Sequence, residues 1–167
     1  MSGMYKNLKD IAVTLQNDET LLRLLYYPPK DLSQNTPDPL DPSLPNILEM
    51  DISKLWEIRD KHILFVPKTD DLTGNKLCRV YLYAGRRIPS RNYLIADQEV
   101  IIDTLCHTSY ESVDLRSMRI SDRINELLVS ERITGIGRID YVDGRQINAP
   151  LDYVGFQNVY EFGSNKK

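Results

Sequence analysis

The side chains in this sequence best suited to nucleophilic or metal chemistry are its two histidines and two cysteines. Cys106 directly precedes His107, so a thiol–imidazole pair is the first arrangement to consider. Residues 100–107 alternate with period two and are rich in β-branched side chains, which predicts a strand. Neighbours in a strand point to opposite faces, so these two side chains cannot hydrogen-bond side to side. Since His62 also has no local partner at metal-ligand spacing, we expect neither a Cys–His catalytic site nor a metal site.

The glycines and carboxylates also lack the spacing of a catalytic or nucleotide-binding motif. Gly135 and Gly137 are not followed by the third glycine and the helix of a dinucleotide-binding loop, and no phosphate-binding loop occurs. Asp70, Asp71 and Glu19 are scattered carboxylates, for which solvated loop charge is the default interpretation. The sequence therefore predicts a protein that is not an enzyme and that has no cofactor.

The most suggestive polar feature is a cluster of arginines and tyrosines between two predicted strands. Residues 77–83 predict a strand, with Tyr81 and Tyr83 on its exposed face, and residues 84–92 predict a loop with three arginines. Solvated charge is the plain alternative, but tyrosine and arginine are enriched at the energetic centres of protein interfaces. We therefore predict a candidate subunit interface formed by Tyr81, Tyr83, Arg86, Arg87, Arg91 and Tyr93.

A second set of arginines lies on a predicted amphipathic helix. Asp114 is expected to cap this helix, after a polar break over residues 108–112. Arg116, Arg119 and Arg123 have the spacing i, i+3, i+7, which places them on the wet face opposite the apolar stripe. We interpret them as solvated charge, with contact to another protein as the alternative. The apolar positions of the helix are Leu115, Met118, Ile120, Ile124, Leu127 and Leu128, and the local carboxylates are Asp122 and Glu126.

A strand that leads into one amphipathic helix is the predicted centre of an α+β domain. Their apolar faces are expected to bury Val100, Ile102, Met118, Ile124 and Leu127 together. A tight turn at Asp143 and Gly144 is predicted to join two strand-like segments, and residues 153–162 form the last strand. The order α, loop, β, β, β, α, β, β predicts a mostly antiparallel sheet packed against one amphipathic helix.

The N-terminal third combines helices with a proline-rich loop. Residues 5–27 predict two short helices, or one kinked helix, with Asn17 or Asp18 capping the second part. Residues 28–46 form a long extended loop, because prolines exclude a regular helix or a central strand. This loop is either a flexible surface insertion or an arm that lies on a neighbouring subunit. We expect one domain over residues 1–167, with a flexible tail at residues 163–167.

Composition is ordinary for a soluble globular protein, with 41% hydrophobic and 27% charged residues. The net charge of -3 argues against a general nucleic-acid binder. We expect Cys78 and Cys106 to be buried reduced thiols, although their spacing does not exclude a disulfide. The first residues contain no apolar signal region, and no apolar run reaches the length of a membrane span, so we expect no membrane association.

Four segments in order resemble the tail-terminator and tail-completion proteins of tailed bacteriophages. The first is a leading helix at residues 8–15, and the second is a strand of the type found at residues 100–107. The third is an arginine-bearing helix at residues 116–128, of the form R…I…I…LL. The fourth is a closing segment at residues 147–156, of the form P…Y…G(Y/F).

This resemblance implies a structural virion protein of the head–tail neck. Members of that family form hexameric rings that cap the tail tube and meet the head connector, without catalysis. The implied partners are other copies of the chain, the tail tube protein and a head-completion or stopper protein, with DNA passing through the ring without sequence-specific binding. The implied location is the virion neck, after assembly in the bacterial host cytoplasm. A head-closure or stopper protein is the alternative within this class, and a small bacterial enzyme or binding module is the alternative outside it.

Overall fold

The computed structural model describes residues 3–167, which form α-helices packed on a five-stranded sheet. The α-helices are α1 (Met4–Gln16), α2 (Glu19–Tyr26), α3 (Ile52–His62), α4 (Thr108–Asp114) and α5 (Arg116–Leu128). The strands are β1 (Ile63–Leu64), β2 (Cys78–Pro89), β3 (Ile95–His107), β4 (Ile136–Ile147) and β5 (Tyr153–Asn165), in the spatial order β1-β2-β3-β5-β4. Within the described residues only the β1–β2 pair is parallel, so the predicted α+β fold with a mostly antiparallel sheet is confirmed.

The predicted packing of the central strand against the amphipathic helix is confirmed at its centre. Val100 and Ile102 of β3 and Ile124 of α5 have 0% exposure and belong to one apolar core. Two expected members are marginal, because Met118 is 36% exposed and Leu127 is only partly buried. The helices α1, α2 and α3 contribute to the same core, so more than one helix covers this side of the sheet.

The segment between β3 and α5 differs from the prediction. Residues 108–112, expected to be a polar break, belong to α4, where the His107 side chain accepts a hydrogen bond from the Ser109 amide. Asp114 does not cap α5, which begins after Leu115 without a side-chain cap. Leu115 has a φ of 50° and is 63% exposed, so it turns the chain between the helices instead of joining the apolar stripe.

The three arginines of α5 face the N-terminal third of the chain, which corrects their assignment to a solvated face. Arg116 has 0% exposure and donates to the carbonyl oxygens of Leu24 (2.6 Å) and Tyr27 (2.8 Å). The carboxylate of Asp114 completes its pairing at 2.8 Å. Helical periodicity identified their common face correctly, but α2 and its following loop cover it. The other two arginines pair with Asp38 and Asp114 (Arg119) and with Asp18 and Glu126 (Arg123).

The proline-rich loop is held by hydrogen bonds within its own chain. Arg23 of α2 donates to the carbonyl oxygens of Asp41 (2.9 Å) and Leu44 (3.0 Å). The Tyr27 hydroxyl donates to the carbonyl oxygen of Pro45 at 2.7 Å. A short 3₁₀ turn at Leu32–Gln34 interrupts the extended segment, and a second one at Ile47–Glu49 follows it. Because these donors come from α2 and its C-cap, the chain folds back onto the helix that it has just left.

The last two strands are longer than predicted. Asp143 and Gly144 form no tight turn, because both lie within β4 and pair with β5 next to a register shift between Tyr141 and Asp143. The turn comes after Ile147 instead. β5 continues through Asn165, so the residues from Gly163 pair with β3 within a segment expected to be a flexible tail.

The two cysteines face each other across β2 and β3. Cys78 and Cys106 are register partners, and both are buried and free, as predicted. Burial and the neighbouring thiol raise the pKa of Cys106 well above its ordinary value. A neutral buried thiol packs as a small apolar side chain, and this one faces the core beneath α5.

We predict that Arg116→Ala destabilises the protein far more than Arg119→Ala. Removing Arg116 leaves a carboxylate and two carbonyl oxygens without their buried donor, a change that costs about 3–5 kcal/mol. The Arg119 side chain is 28% exposed, and comparable exposed pairs contribute about 0–1 kcal/mol. Urea unfolding followed by circular dichroism measures both changes. Equal small losses would contradict a structural role for Arg116.

Candidate functional site

The histidines and cysteines occupy structural positions. Burial lowers the pKa of His62 to about 4, and its Nδ1 lies 2.6 Å from the carbonyl oxygen of Cys78, so the neutral ring donates a backbone hydrogen bond. His107 is on the opposite side of β3 from Cys106 and caps α4. Residues 3–167 contain no group of three or more His, Cys, Asp or Glu side chains that would hold a metal ion. In the same residues no helix is long and apolar enough to span a membrane.

The tyrosines of the predicted interface have three different environments. Tyr81 is only 1% exposed and its hydroxyl donates to the Lys68 carbonyl oxygen, which corrects its placement on an exposed face. Tyr83 is half-buried and donates to Asp103 Oδ2 at 2.6 Å. Tyr93 is 80% exposed in the turn between β2 and β3. Residues 65–77 fold over the face of the sheet that carries Tyr81, and they cover its side chain.

The arginines of the predicted loop lie mostly in a strand. Arg86 and Arg87 belong to β2, and only Arg91 lies in the turn, so the predicted loop was too long. Arg86 pairs with Glu99 of β3 at 2.8 Å, while Arg87 donates to the carbonyl oxygen of Asn165. The cluster therefore separates into one cross-strand ion pair, one contact to β5 and one exposed charge at the turn.

A β-bulge at Gly85 explains how the strand continues through this cluster. The register between β2 and β3 shifts between Ala84 and Arg87, opposite Glu99. A Cβ atom on Gly85 would lie 2.8 Å from the Cβ atom of Glu99, so a larger residue would force the strands apart. The bulge also directs the Arg86 amide to the Glu99 carboxylate at 3.1 Å. The pairing holds the pKa of Glu99 below its ordinary value.

The side of the sheet opposite the helix-covered core is uncovered over its middle, and we call it the open face. A polar network crosses it from β2 to β4. Asp103 accepts from Tyr83 (2.6 Å) and from Gln157 Nε2 (2.8 Å), and Arg145 donates to Gln157 Oε1 at 3.1 Å. The sequence could have identified Asp103 as part of such a network, because a carboxylate in the middle of an alternating strand needs a partner. The open face consists of Tyr83, Arg86, Glu99, Ile101, Asp103, Arg145, Gln157 and Val159.

One cross-strand row on the open face is acidic at one sheet edge and basic at the other. Asp140 of β4 is opposite Glu161 of β5, which is opposite Glu99 of β3, and Arg86 of β2 pairs with Glu99. Burial, followed by the negative charges of Asp97, Glu99 and Asp140, raises the pKa of Glu161 above its ordinary value. The β4 end of this row has excess negative charge, whereas the Arg86 side chain at the β2 end is 75% exposed.

An apolar groove of about 590 Å³ lies beside β2, on the side of the sheet that the helices cover. Its walls come from α1, α3, β2 and the residue after β1, and include Tyr5, Val13, Trp56, Phe65 and Ala84. The exposed fractions are 79% for Tyr5, 46% for Trp56 and 54% for Phe65. An exposed apolar patch of this kind is typical of a protein interaction site. The sequence interpretation missed it because its walls come from separate elements, which only the tertiary structure brings together.

Both edges of the sheet are incompletely paired within the described residues. β1 contacts β2 only at Val80 and Tyr81, so β2 has no neighbour on that side from Leu82 onward. β4 is the last strand at the opposite edge. Unpaired strand edges are templates for pairing with another chain unless they are blocked.

Comparisons with known proteins give one family and one fold. The family model described as YomW matches residues 18–162. The SPbeta prophage-derived uncharacterized protein YomW of Bacillus subtilis (strain 168) is 29% identical to this chain over an alignment of 177 residues. The alignment covers 99% of this chain and 100% of that protein. A chain of the solved structure titled "Virion of native gene transfer agent (GTA) particle" has a TM-score of 0.53 at 10% identity, covering 95% of this chain and 93% of that chain. At that identity the likeness concerns the fold.

We predict that Glu161→Gln stabilises the protein at neutral pH and that this gain disappears in acid. A raised pKa means that the folded state binds the Glu161 proton more tightly than the unfolded state, so the ionised form weakens folding above that pKa. Below about pH 4 the glutamate is mostly protonated in both the folded and the unfolded state. The substitution then removes little negative charge, so it has little effect on stability. Thermal unfolding at pH 7 and pH 4 measures the difference. Exposed Glu131→Gln is the control, and an equal gain at both pH values would contradict the electrostatic cause.

Proposed function

The chain belongs to the YomW family, and from this premise we propose that it is a structural protein of a tailed phage particle, located in the neck between tail and head. The observation on which the proposal rests is the fold likeness to a chain of a gene transfer agent virion, which extends over nearly the whole chain. A prophage-derived relative that matches along its whole length supports a phage origin.

Within the neck, we assign the chain the role of a tail terminator, a ring that caps the tail tube and joins it to the head connector. The order of its elements supports this assignment, because a leading helix, a central strand, an arginine-bearing helix and a closing strand occur in the order of that family. The ring would contact the tail tube protein on one side and a head-completion protein on the other. A head-closure or stopper protein is the second candidate, since it is also a ring-forming neck subunit.

The surfaces of the subunit suit protein contact better than catalysis. The buried thiols and the neutral His62 are enclosed in the fold, and the polar network of the open face satisfies its own members. The groove beside β2 is lined mainly by apolar side chains. Such a groove supplies binding energy through apolar burial without a group that would activate a substrate.

DNA would pass the ring without binding tightly. The acidic row of the open face and the net charge of -3 oppose contact with phosphates. The arginine cluster is compatible with this, because Arg86 is paired with Glu99 within the chain. The remaining arginine at the turn, Arg91, is exposed beside Tyr93 and is suited to contact with an acidic protein surface.

The location is tested with an epitope-tagged chain in cells that assemble the particle. A tail terminator is expected in purified particles, with gold label at the junction of tail and head. It should also co-purify with tails from cells that cannot make heads. A stopper would instead remain with heads from cells that cannot make tails. Absence of the chain from purified particles would reject the virion role.

We further predict that the purified protein does not shift duplex DNA in a gel at about 0.15 M salt. Phosphate contacts are the main source of non-specific affinity and weaken steeply with salt, and few arginines here are free to make them. Replacing Arg87 and Arg91 with glutamate should therefore leave this result unchanged but reduce incorporation into particles. A wild-type shift that those substitutions abolish would favour DNA as the partner of the cluster.

A further inference from the structure

The free part of β2 has the chemistry of a strand acceptor. The His107 amide donates to the Leu77 carbonyl oxygen at 3.1 Å, which fixes the alternation of hydrogen bonds along β2 and β3. By that alternation the backbone groups of Leu82 and Ala84 point away from β3, beyond the end of β1. Pro89, which has no amide hydrogen, ends the strand. An acceptor edge of a few residues is therefore open between β1 and Pro89.

The apolar groove lies directly beside this edge. Val13 of α1 and Trp56 of α3 form its outer wall, and Leu82 and Ala84 of β2 form its inner wall. A strand added to β2 would place one row of its side chains in the groove while its backbone paired with the edge. An extended segment between a strand edge and a helix is a common mode of peptide recognition, in which backbone bonds provide affinity and side-chain pockets provide specificity.

The strand β4 of a second copy matches this acceptor in direction and exposure. β2 and β5 are both antiparallel to β3, and β4 is antiparallel to β5, so β4 and β2 run in opposite directions at opposite edges of one sheet. Rotation about an axis along the strands would bring β4 of one copy antiparallel to β2 of the next. Tyr141 and Val142 of β4 are 44% and 45% exposed and are available for that contact.

The charges at the two edges are also complementary. The cross-strand row ends in Asp140 at β4 and in the exposed Arg86 at β2. Joining the edges head to tail brings a positive charge to the end of the row where Asp140, Glu161 and Glu99 accumulate. A symmetric edge-to-edge contact would place Arg86 near Arg86, or Asp140 near Asp140, and like charges oppose it.

We infer that copies of this chain join head to tail, with β4 of one copy pairing antiparallel to the free edge of β2 in the next and lying against its apolar groove. This inference rests on the proposed ring and names the surfaces that form it. A heterologous contact of this kind closes into a ring when its rotation divides a full turn.

The contact is tested by placing the photocrosslinking amino acid p-benzoylphenylalanine at Ala84, which is exposed in the groove. Irradiation of cells that assemble the particle should give a crosslinked dimer of the chain, with the link mapped by mass spectrometry to residues 136–147. The same amino acid at Val113, which is 55% exposed on α4, should give no such dimer. A link from position 84 to another protein, to a different segment, or to nothing would overturn the inference.

A pair of matched substitutions tests the groove itself. Val13→Glu places a charge in the groove at a helix position that is 44% exposed, whereas Val113→Glu makes the same change at the control position. The first should abolish the crosslinked dimer and the second should preserve it, with both proteins folded by circular dichroism. A dimer that survives Val13→Glu would show that the groove does not hold the partner.

The same particles separate this inference from the proposed function. If the chain is found in purified particles but position 84 does not link to residues 136–147, the edge pairing is rejected and the virion role is retained. If the chain is absent from particles, the virion role is rejected, whatever its self-association in the cell.

Discussion

The buried guanidinium of Arg116 is the interaction on which the arrangement of this fold depends. It joins the start of α5 to the carbonyl oxygens at the end of α2, and Asp114 balances its charge. A fully buried charge is tolerated only when it is paired. The contact therefore fixes α2, the following loop and α5 relative to one another. Arg23 and Arg119 extend the same arrangement by binding the proline-rich loop. The N-terminal third is thereby held against the sheet through polar contacts as well as through the core.

Local patterns predicted several elements, although not helix α4, and they did not predict what each element faces. Period-two alternation located β3, and Asp18 caps α2 through the Leu21 amide, as the sequence indicated. The i, i+3, i+7 spacing grouped the arginines of α5, yet only the tertiary structure reveals that α2 covers Arg116. Tyr81 is a similar case, since the chain from Phe65 onward folds over it from outside its own strand.

Two further differences arise because distant pairing overrides a local preference. Asp143 and Gly144 have the composition of a tight turn, but pairing of β4 with β5 continues through them with a bulge. The groove beside β2 could not be predicted from α1 alone, because its walls come from α1, α3 and β2. The candidate surfaces of this protein are therefore properties of the assembled sheet and helices. Exposed strand edges and an open apolar groove are surfaces suited to contact with other proteins.

The long separation along the chain between Arg116 and its partners has a consequence for folding during synthesis. Arg116 and Leu24 are 92 residues apart, so α2 leaves the ribosome well before the side chain that satisfies its terminal carbonyl oxygens. At about 5–20 residues per second this interval is roughly 5–18 s. For most of that interval the leucines of α2 have neither α5 nor the central strand β3 to cover them, because β3 begins only at Ile95. Native structure in this protein is therefore completed late, when its C-terminal half has been translated.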